Sequence, residues 1–289
     1  MNGIINVNKP AGWTSMDVCA KLRGILKTKK VGHGGTLDPA VTGVLPVAVG
    51  KATRLLEYMD TGGKIYEGEI TLGFSTETED AQGAVIDVTP VFGISEEKID
   101  AALAQFLGVI SQIPPMYSAV KVNGRRLYEY ARQGLTIERA ARSVEITDFA
   151  RTSDLIFVEN CAKFSFRVAC SKGTYVRTLA VDVAKNLGFA GHMSQLTRTM
   201  ANGLFLEDAH TLDEIADGKF TLQPLITAVS GLVKRELSAD EARDVCQGKF
   251  IAADGSEHEG AIIAGVCAGE LIAILEKRDS FYKPKKVVK

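Results

Sequence analysis

The sequence is poor in the features that mark several large classes of protein. No apolar run approaches the roughly 20 residues that a membrane-spanning helix needs. The N-terminal stretch has no basic segment leading into an apolar one, so no secretory signal is expected. The five cysteines, at 19, 161, 170, 246 and 267, are odd in number and include no C-x-x-C pair. That usage fits reduced thiols in a cytoplasmic protein better than a disulfide framework. Each cysteine lies in an apolar-periodic segment, where a buried, inert thiol is the ordinary expectation. His33, His192, His210 and His258 are scattered, with no Cys or His at ligand spacing, so no metal site is expected. There is no G-x-S-x-G elbow for a serine hydrolase. The Val47–Lys51 stretch mimics a phosphate loop, but Leu45 and Ala52 stand where that loop needs glycine and a hydroxyl.

Nor is there an excess of either charge. Lys and Arg number 34 against 35 Asp and Glu, and 46% of residues are hydrophobic, the mix of a folded globular chain. The average hides segregation. Lys21, Arg23, Lys27, Lys29 and Lys30 follow one another with no acid between Cys19 and His33. Lys277, Arg278, Lys283, Lys285, Lys286 and Lys289 face Asp279 alone. Acids gather instead at Glu77, Glu79, Asp80 and Asp87, and again at Glu96, Glu97 and Asp100. A neutral chain with separated basic stripes can grip a polyanion locally.

Periodicity predicts a strand over residues 3–7 and a helix opening at Thr14-Ser15-Met16-Asp17. A buried strand is expected over 44–49 and an alternating one over 64–73, with Tyr66, Ile70 and Leu72 on one face. Ser95 opens a helix carrying Ile99 and Leu103. A strand is expected over 117–122, a basic helix over 125–133 and a strand over 163–170. A helix over 174–187, stopped by Gly188, follows. Near Pro224 the texture changes to short strands, 260–267 and 270–275, behind a Ser238-x-x-Glu241 capping box. The reading is α+β rather than a regular parallel alternation.

The densest unusual segment runs from Gly32 to Pro46, and Asp38 is its one formally charged residue between Lys30 and Lys51. An isolated Asp-Pro is ordinarily a turn, but a partly buried carboxylate demands a cation from elsewhere. Gly-His-Gly-Gly-Thr-Leu-Asp-Pro-x-x-Thr-Gly-Val-Leu-Pro resembles the signature loop of the TruB family of pseudouridine synthases. Further blocks agree in order: Gly3 to Pro10 with Gly-Trp-Thr-Ser, Lys64-x-Tyr66-x-Gly68, Ile113 to Lys121, Cys170 to Thr178, and Leu196-x-Arg198. The match spans roughly residues 3–229.

That resemblance implies a mixed, largely antiparallel catalytic domain over 1–229, with an RNA-gripping thumb at about 121–142. A small β-rich, PUA-like RNA-binding domain over 230–289 would follow. Within the family the chain is similar to the bacterial stand-alone branch, which converts uridine 55 in the T loop of tRNA to pseudouridine. The implied partner is the tRNA T stem-loop, with no cofactor, no metal and no membrane, and with the chain acting as a monomer. Asp38 would be the catalytic carboxylate and Arg177 its cation. Tyr66 would stack on a flipped uracil, Tyr175 and Leu196 would wall the pocket, and His33 would lie against the RNA. Lys9 and Pro10 read as structural. A non-catalytic RNA-binding factor on the same scaffold is the competing reading; the presence of Asp38, Tyr66 and Arg177 together favours the enzyme. A metal-free carboxylate hydrolase ranks third, for want of a second acid in a comparable motif.

Overall fold

The computed structural model describes residues 1–59, 62–253 and 257–288. The chain divides into two compact units: residues 1–63 with 200–289, and residues 64–199. The boundary expected at 229 falls inside the first of them.

The first unit begins with strand β1 (Gly3–Lys9), helix α1 (Ser15–Ile25), β2 (Val31–His33) and β3 (Thr42–Val49). β3 lies between β1 and β2, antiparallel to both, with Ile5 opposite Val47 and His33 opposite Val47 on the other edge. α1 starts where the sequence says it should. Thr14 and Asp17 form a reciprocal capping box, which satisfies donors the first helical turn leaves over.

The second unit opens with β4 (Lys64–Leu72), then a two-stranded ribbon of β5 (Phe74–Thr76) and β6 (Val85–Val88), helix α2 (Glu96–Ala104) and β7 (Gly108–Gln112). A hairpin of β8 (Lys121–Val122) and β9 (Arg125–Arg126) leads into α3 (Leu127–Ala131). β10 (Arg142–Arg151), β11 (Ile156–Val158), β12 (Cys161–Cys170), α4 (Val176–Asn186) and β13 (Gly191–Ala201), up to Thr199, complete it. Its sheet runs β13-β4-β12-β10-β7, with antiparallel pairing of β4 to β12, β12 to β10 and β10 to β7. β12 alternates as its sequence does: Phe164, Phe166 and Val168 are buried while Lys163, Ser165 and Arg167 reach outward. The ring of Phe166 meets Phe149 edge-on at 5.6 Å.

The chain returns to the first unit with β14 (Leu204–Phe205), α5 (Leu212–Ala216) and β15 (Leu222–Gln223), the last pairing with β1. β16 (Lys234–Glu236), α6 (Ala239–Cys246), β17 (Ile251–Ala252), β18 (Ile262–Cys267), β19 (Glu270–Arg278) and β20 (Phe281–Val287) follow. They build a five-stranded sheet in the order β16-β18-β19-β20-β17. One face of this sheet shares a hydrophobic core with the N-terminal segment: Ala264, Val266, Leu271, Ile274 and Val288 join Ile4, Val44 and Ala48 of the strands and Leu55 of the short helix that follows them.

Two local expectations are corrected. Residues 117–122 do not form a strand of their own; only Lys121 and Val122 are extended, and the Tyr117 carbonyl accepts from Arg177. The basic helix expected at 125–133 is shorter, at Leu127–Ala131. Asn123 and Gly124 both adopt left-handed φ, 50° and 80°, the geometry of a tight hairpin turn that pulls Arg125 and Arg126 into β9. The basic C-terminal tail is a strand, β20, anchored by a fully buried Tyr282.

Candidate active site

Asp38 sits half-buried on the loop between β2 and β3, and the peptide on each side of it is held. On the N-terminal side the buried Ser15 hydroxyl, at the start of α1, accepts from the Leu37 N–H (2.9 Å) and donates to the Leu37 carbonyl (3.3 Å). On the C-terminal side the Pro39 carbonyl accepts from the Gly12 N–H (2.8 Å) and from the Lys9 ammonium (3.1 Å). Lys9 is fully buried, and its Nζ also donates to the carbonyls of Pro10 (2.9 Å) and Trp13 (2.6 Å). A buried ammonium without such acceptors would be very costly. The Lys-Pro-x-Gly-Trp-Thr-Ser stretch thus clamps the aspartate loop. Gly34 is required by packing, since a Cβ there would lie 2.7 Å from Met59 Cβ. Gly35 takes a left-handed φ of 123°, which a side chain would resist. His33, at the end of β2, is half-buried five residues before Asp38.

The second unit carries the remaining residues. Tyr66 is buried on β4, opposite Val168 of β12. Two residues along the same face, a Cβ at Gly68 would lie 2.9 Å from both Leu196 Cδ1 on β13 and Phe166 Cζ. The missing side chain therefore lets Leu196 settle against β4 at Gly68, two residues from Tyr66. Tyr175 precedes α4, and its backbone is gripped twice by the buried Gln112 of β7. Gln112 Oε1 accepts from the Tyr175 N–H (2.8 Å) and Nε2 donates to its carbonyl (3.1 Å).

Arg177, in the first turn of α4, is buried. Its guanidinium donates to the carbonyls of Thr78 (2.8 Å) and Tyr117 (2.9 Å) and lies 3.8 Å from the Asp80 carboxylate. Asp80 is itself fixed by Thr78 Oγ1 (2.6 Å) and the Gln82 N–H (3.0 Å). Beside it the Glu79 carboxylate accepts from Thr178 Oγ1 (2.6 Å), and burial raises its pKa against the opposing pull of that hydrogen bond and of Arg177. Gln112, Thr78, Glu79 and Asp80 escaped the sequence reading. Their acids were visible as a cluster, but nothing distinguished a cradle for arginine from a solvated face.

Within residues 121–132, Lys121, Arg125, Arg126 and Arg132 are exposed. Arg126 and Arg132 flank the Tyr128 ring, and Arg125 covers Tyr130 at 4.6 Å. In the C-terminal sheet Lys285 is 3.7 Å from Glu276, and Lys286 pairs with Glu57 while donating to the Arg54 carbonyl. Arg278 pairs with Glu276 at 3.2 Å and Lys277 donates to the Asp279 carbonyl, so at least four of the tail's cations are engaged within the protein. Burial pushes the Cys19 thiol up to about 11 and raises that of Cys170, so neither serves as a nucleophile near neutrality. No helix among the described residues is long and apolar enough to cross a membrane.

Solved structures give the class of this fold. The chain is similar to one described as a Cbf5-Nop10-Gar1 complex, with a TM-score of 0.77 and 27% identity over 99% of this chain and 85% of that one. It is similar also to an H/ACA RNP bound to a substrate RNA containing 2′-deoxyuridine, with a TM-score of 0.75 and 26% identity over 99% and 85%. The fold is that of the Cbf5 pseudouridine synthases. Residues 23–176 match the TruB family of pseudouridylate synthases, N-terminal domain. A protein of Streptococcus sanguinis strain SK36 described as tRNA pseudouridine synthase B is 59% identical over 99% of both chains. One of Lactococcus lactis subsp. cremoris strain MG1363, with the same description, is 62% identical over 82% of this chain and 75% of its own. The chain belongs to the TruB family of pseudouridine synthases. It is accordingly an enzyme, an isomerase.

Proposed function

We propose that the chain isomerises uridine 55 in the T loop of tRNA to pseudouridine, with Asp38 as the catalytic carboxylate. The observation that carries this reading is the clamp on both flanks of Asp38, which fixes one carboxylate in an otherwise uncharged loop. The tRNA substrate is supported by the description of the relatives, 59% identical over nearly the whole chain.

The reaction breaks the bond between N1 of uracil and the ribose, turns the base and rejoins it through C5. Atoms are conserved, so no redox cofactor or energy donor enters. The base must first leave the stacked loop, at a few kcal/mol for unstacking. Asp38 acts as the catalytic carboxylate, a placement that serves it as nucleophile in attack on the base or the sugar, or as base in elimination through a glycal. Arg177 supplies the cation that pairs with Asp38 and orients it. The Tyr66 ring stacks on the flipped uracil and its hydroxyl handles the C5 proton. Tyr175 and Leu196 wall the pocket, and His33 occupies the space the base vacates. Residues 121–142 press on the stem-loop as a thumb. Residues 230–289 form a PUA-like module that adds RNA affinity, and the enzyme works as a monomer in the cytoplasm.

Incubation with unmodified tRNA transcript and mapping of pseudouridine at nucleotide resolution tests this reading. Product at position 55 alone is expected. Asp38→Asn should abolish it while tRNA affinity stays within about threefold, since affinity comes mainly from phosphate contacts. Turnover by the Asn variant beyond what deamidation supplies overturns the assignment of Asp38.

A further inference from the structure

Trp13, the single tryptophan of the chain, has no part in the chemistry above. It is half-buried along a shallow groove of about 460 Å³ lined by Gly12, Trp13, Asp17, Ala20 and Lys21. Gly12 borders open space, since a Cβ there would meet nothing within 4 Å. The result is a flat, largely apolar shelf at the exposed face of α1.

The groove carries one cation, Lys21, and the chain that follows it is basic. Lys21, Lys27, Lys29 and Lys30 are exposed, and no acid occurs between Val18 and Leu37. Asp17, the groove's own acid, is turned to the helix cap, where it accepts from the Thr14 N–H (2.9 Å) and Thr14 Oγ1 (2.6 Å). The shelf is also registered to the catalytic loop. The same Lys9 nitrogen holds the carbonyls of Trp13 and Pro39, and the Gly12 N–H donates to Pro39. The indole therefore rides on the clamp that presents Asp38.

We propose that Trp13 and Lys21 form a stacking subsite for a second, unpaired nucleotide of the RNA substrate, its base on the indole and its phosphate on the Lys21 ammonium. Extruding the reacting uridine strips its neighbours of a stacking partner. An aromatic platform fixed to the catalytic loop recovers that contact for any base, because every base has a π-face. The lysine supplies a point charge that fixes position without reading sequence. The inference rests on the pseudouridine synthase reading and deepens its substrate recognition.

A lone tryptophan makes the test direct. Full-length protein is titrated with unmodified tRNA transcript while tryptophan fluorescence is recorded, and binding is measured in parallel by filter retention. Saturable quenching with the same midpoint as retention is expected. Trp13→Ala should raise KM roughly tenfold with kcat within about twofold, and Trp13→Phe, which keeps a ring, should restore KM to within about threefold. Lys21→Ala should lower the salt slope of binding by about one. RNA that is retained and converted to pseudouridine while the fluorescence stays unchanged overturns the subsite. So does a folded Trp13→Ala variant with wild-type KM. If Trp13→Ala fails to fold, the wild-type titration decides alone. Absence of pseudouridine in every transcript refutes the synthase reading instead, and quenching by the retained RNA still decides the subsite.

Discussion

Lys9→Met isolates the clamp on the aspartate loop. Methionine keeps the length and apolar body of the lysine stem but removes the three ammonium hydrogen bonds to Pro10, Trp13 and Pro39. Pro39 retains its bond from the Gly12 N–H, and the exposed Pro10 segment can turn to water, so the Trp13 carbonyl bears the main loss. A buried acceptor left without a partner costs about 1–3 kcal/mol. Relief of the buried charge offsets part of this. A net destabilisation of about 2 kcal/mol is expected, read as a lower denaturation midpoint at unchanged m. Catalysis should suffer more than folding does. The Ser15 bonds still hold Leu37, so the loop stays folded but loosens on its C-terminal side. Misplacement of a reacting group by about 1 Å costs on the order of 100-fold. Single-turnover conversion at saturating tRNA should therefore fall about that far, with affinity little changed. A Lys9→Met protein with a wild-type midpoint and a rate within about threefold would refute the clamp as the device that positions Asp38.

Three further outcomes follow from the same structure. If Lys27, Lys29, Lys30, Arg125 and Arg126 meet phosphates, affinity should fall steeply with salt, and replacing any true contact should reduce the slope by about one; a slope near zero leaves them as solvated surface. Glu79, whose folded pKa is raised by burial above the ordinary 4.5, contributes stability that is full below 4.5 and is lost as pH rises through the folded value. Glu79→Gln, which keeps an acceptor for Thr178, should raise the melting temperature at neutral pH and remove the gain on acidification; an unchanged pH profile contradicts the burial argument. Deletion of residues 230–289 should abolish cooperative melting, because it strips Ala264, Val266, Leu271, Ile274 and Val288 from a core shared with Ile4, Val44 and Leu55. A truncated chain that melts sharply and converts tRNA would show that this core is dispensable.

What was legible in the sequence follows physical rules. The capping box at Thr14 and Asp17, the alternation of β4 and β12 and the apolar stripe of α4 are local patterns, and each yields its element directly. β13 was not legible. Its sequence, Gly-His-Met-Ser-Gln-Leu-Thr-Arg-Thr-Met-Ala, reads as polar, yet His192 and Arg198 are buried within it. Such side chains are buried only when distant groups satisfy them, and no local period reports a distant partner. The Asn123-Gly124 turn was a missed local signal rather than a hidden one, since that dipeptide between extendable residues is a strong hairpin mark.

The candidate site divides along the same line. Asp38 stood out because a lone charge in an uncharged glycine-rich stretch is anomalous by composition alone. Lys9 reads as structural, but which groups it and Ser15 hold is not legible, because they bond carbonyls and amides some 20–30 residues away, at Leu37 and Pro39. Arg177 is the sharper case. Sequence can state that a buried guanidinium needs acceptors, but here two are main-chain carbonyls, of Thr78 and Tyr117. A carbonyl acceptor carries no residue identity, so almost any side chain at those positions could supply it. The groups that hold this arginine in place are therefore the part of the site that residue types record least, and only the folded backbone makes them visible.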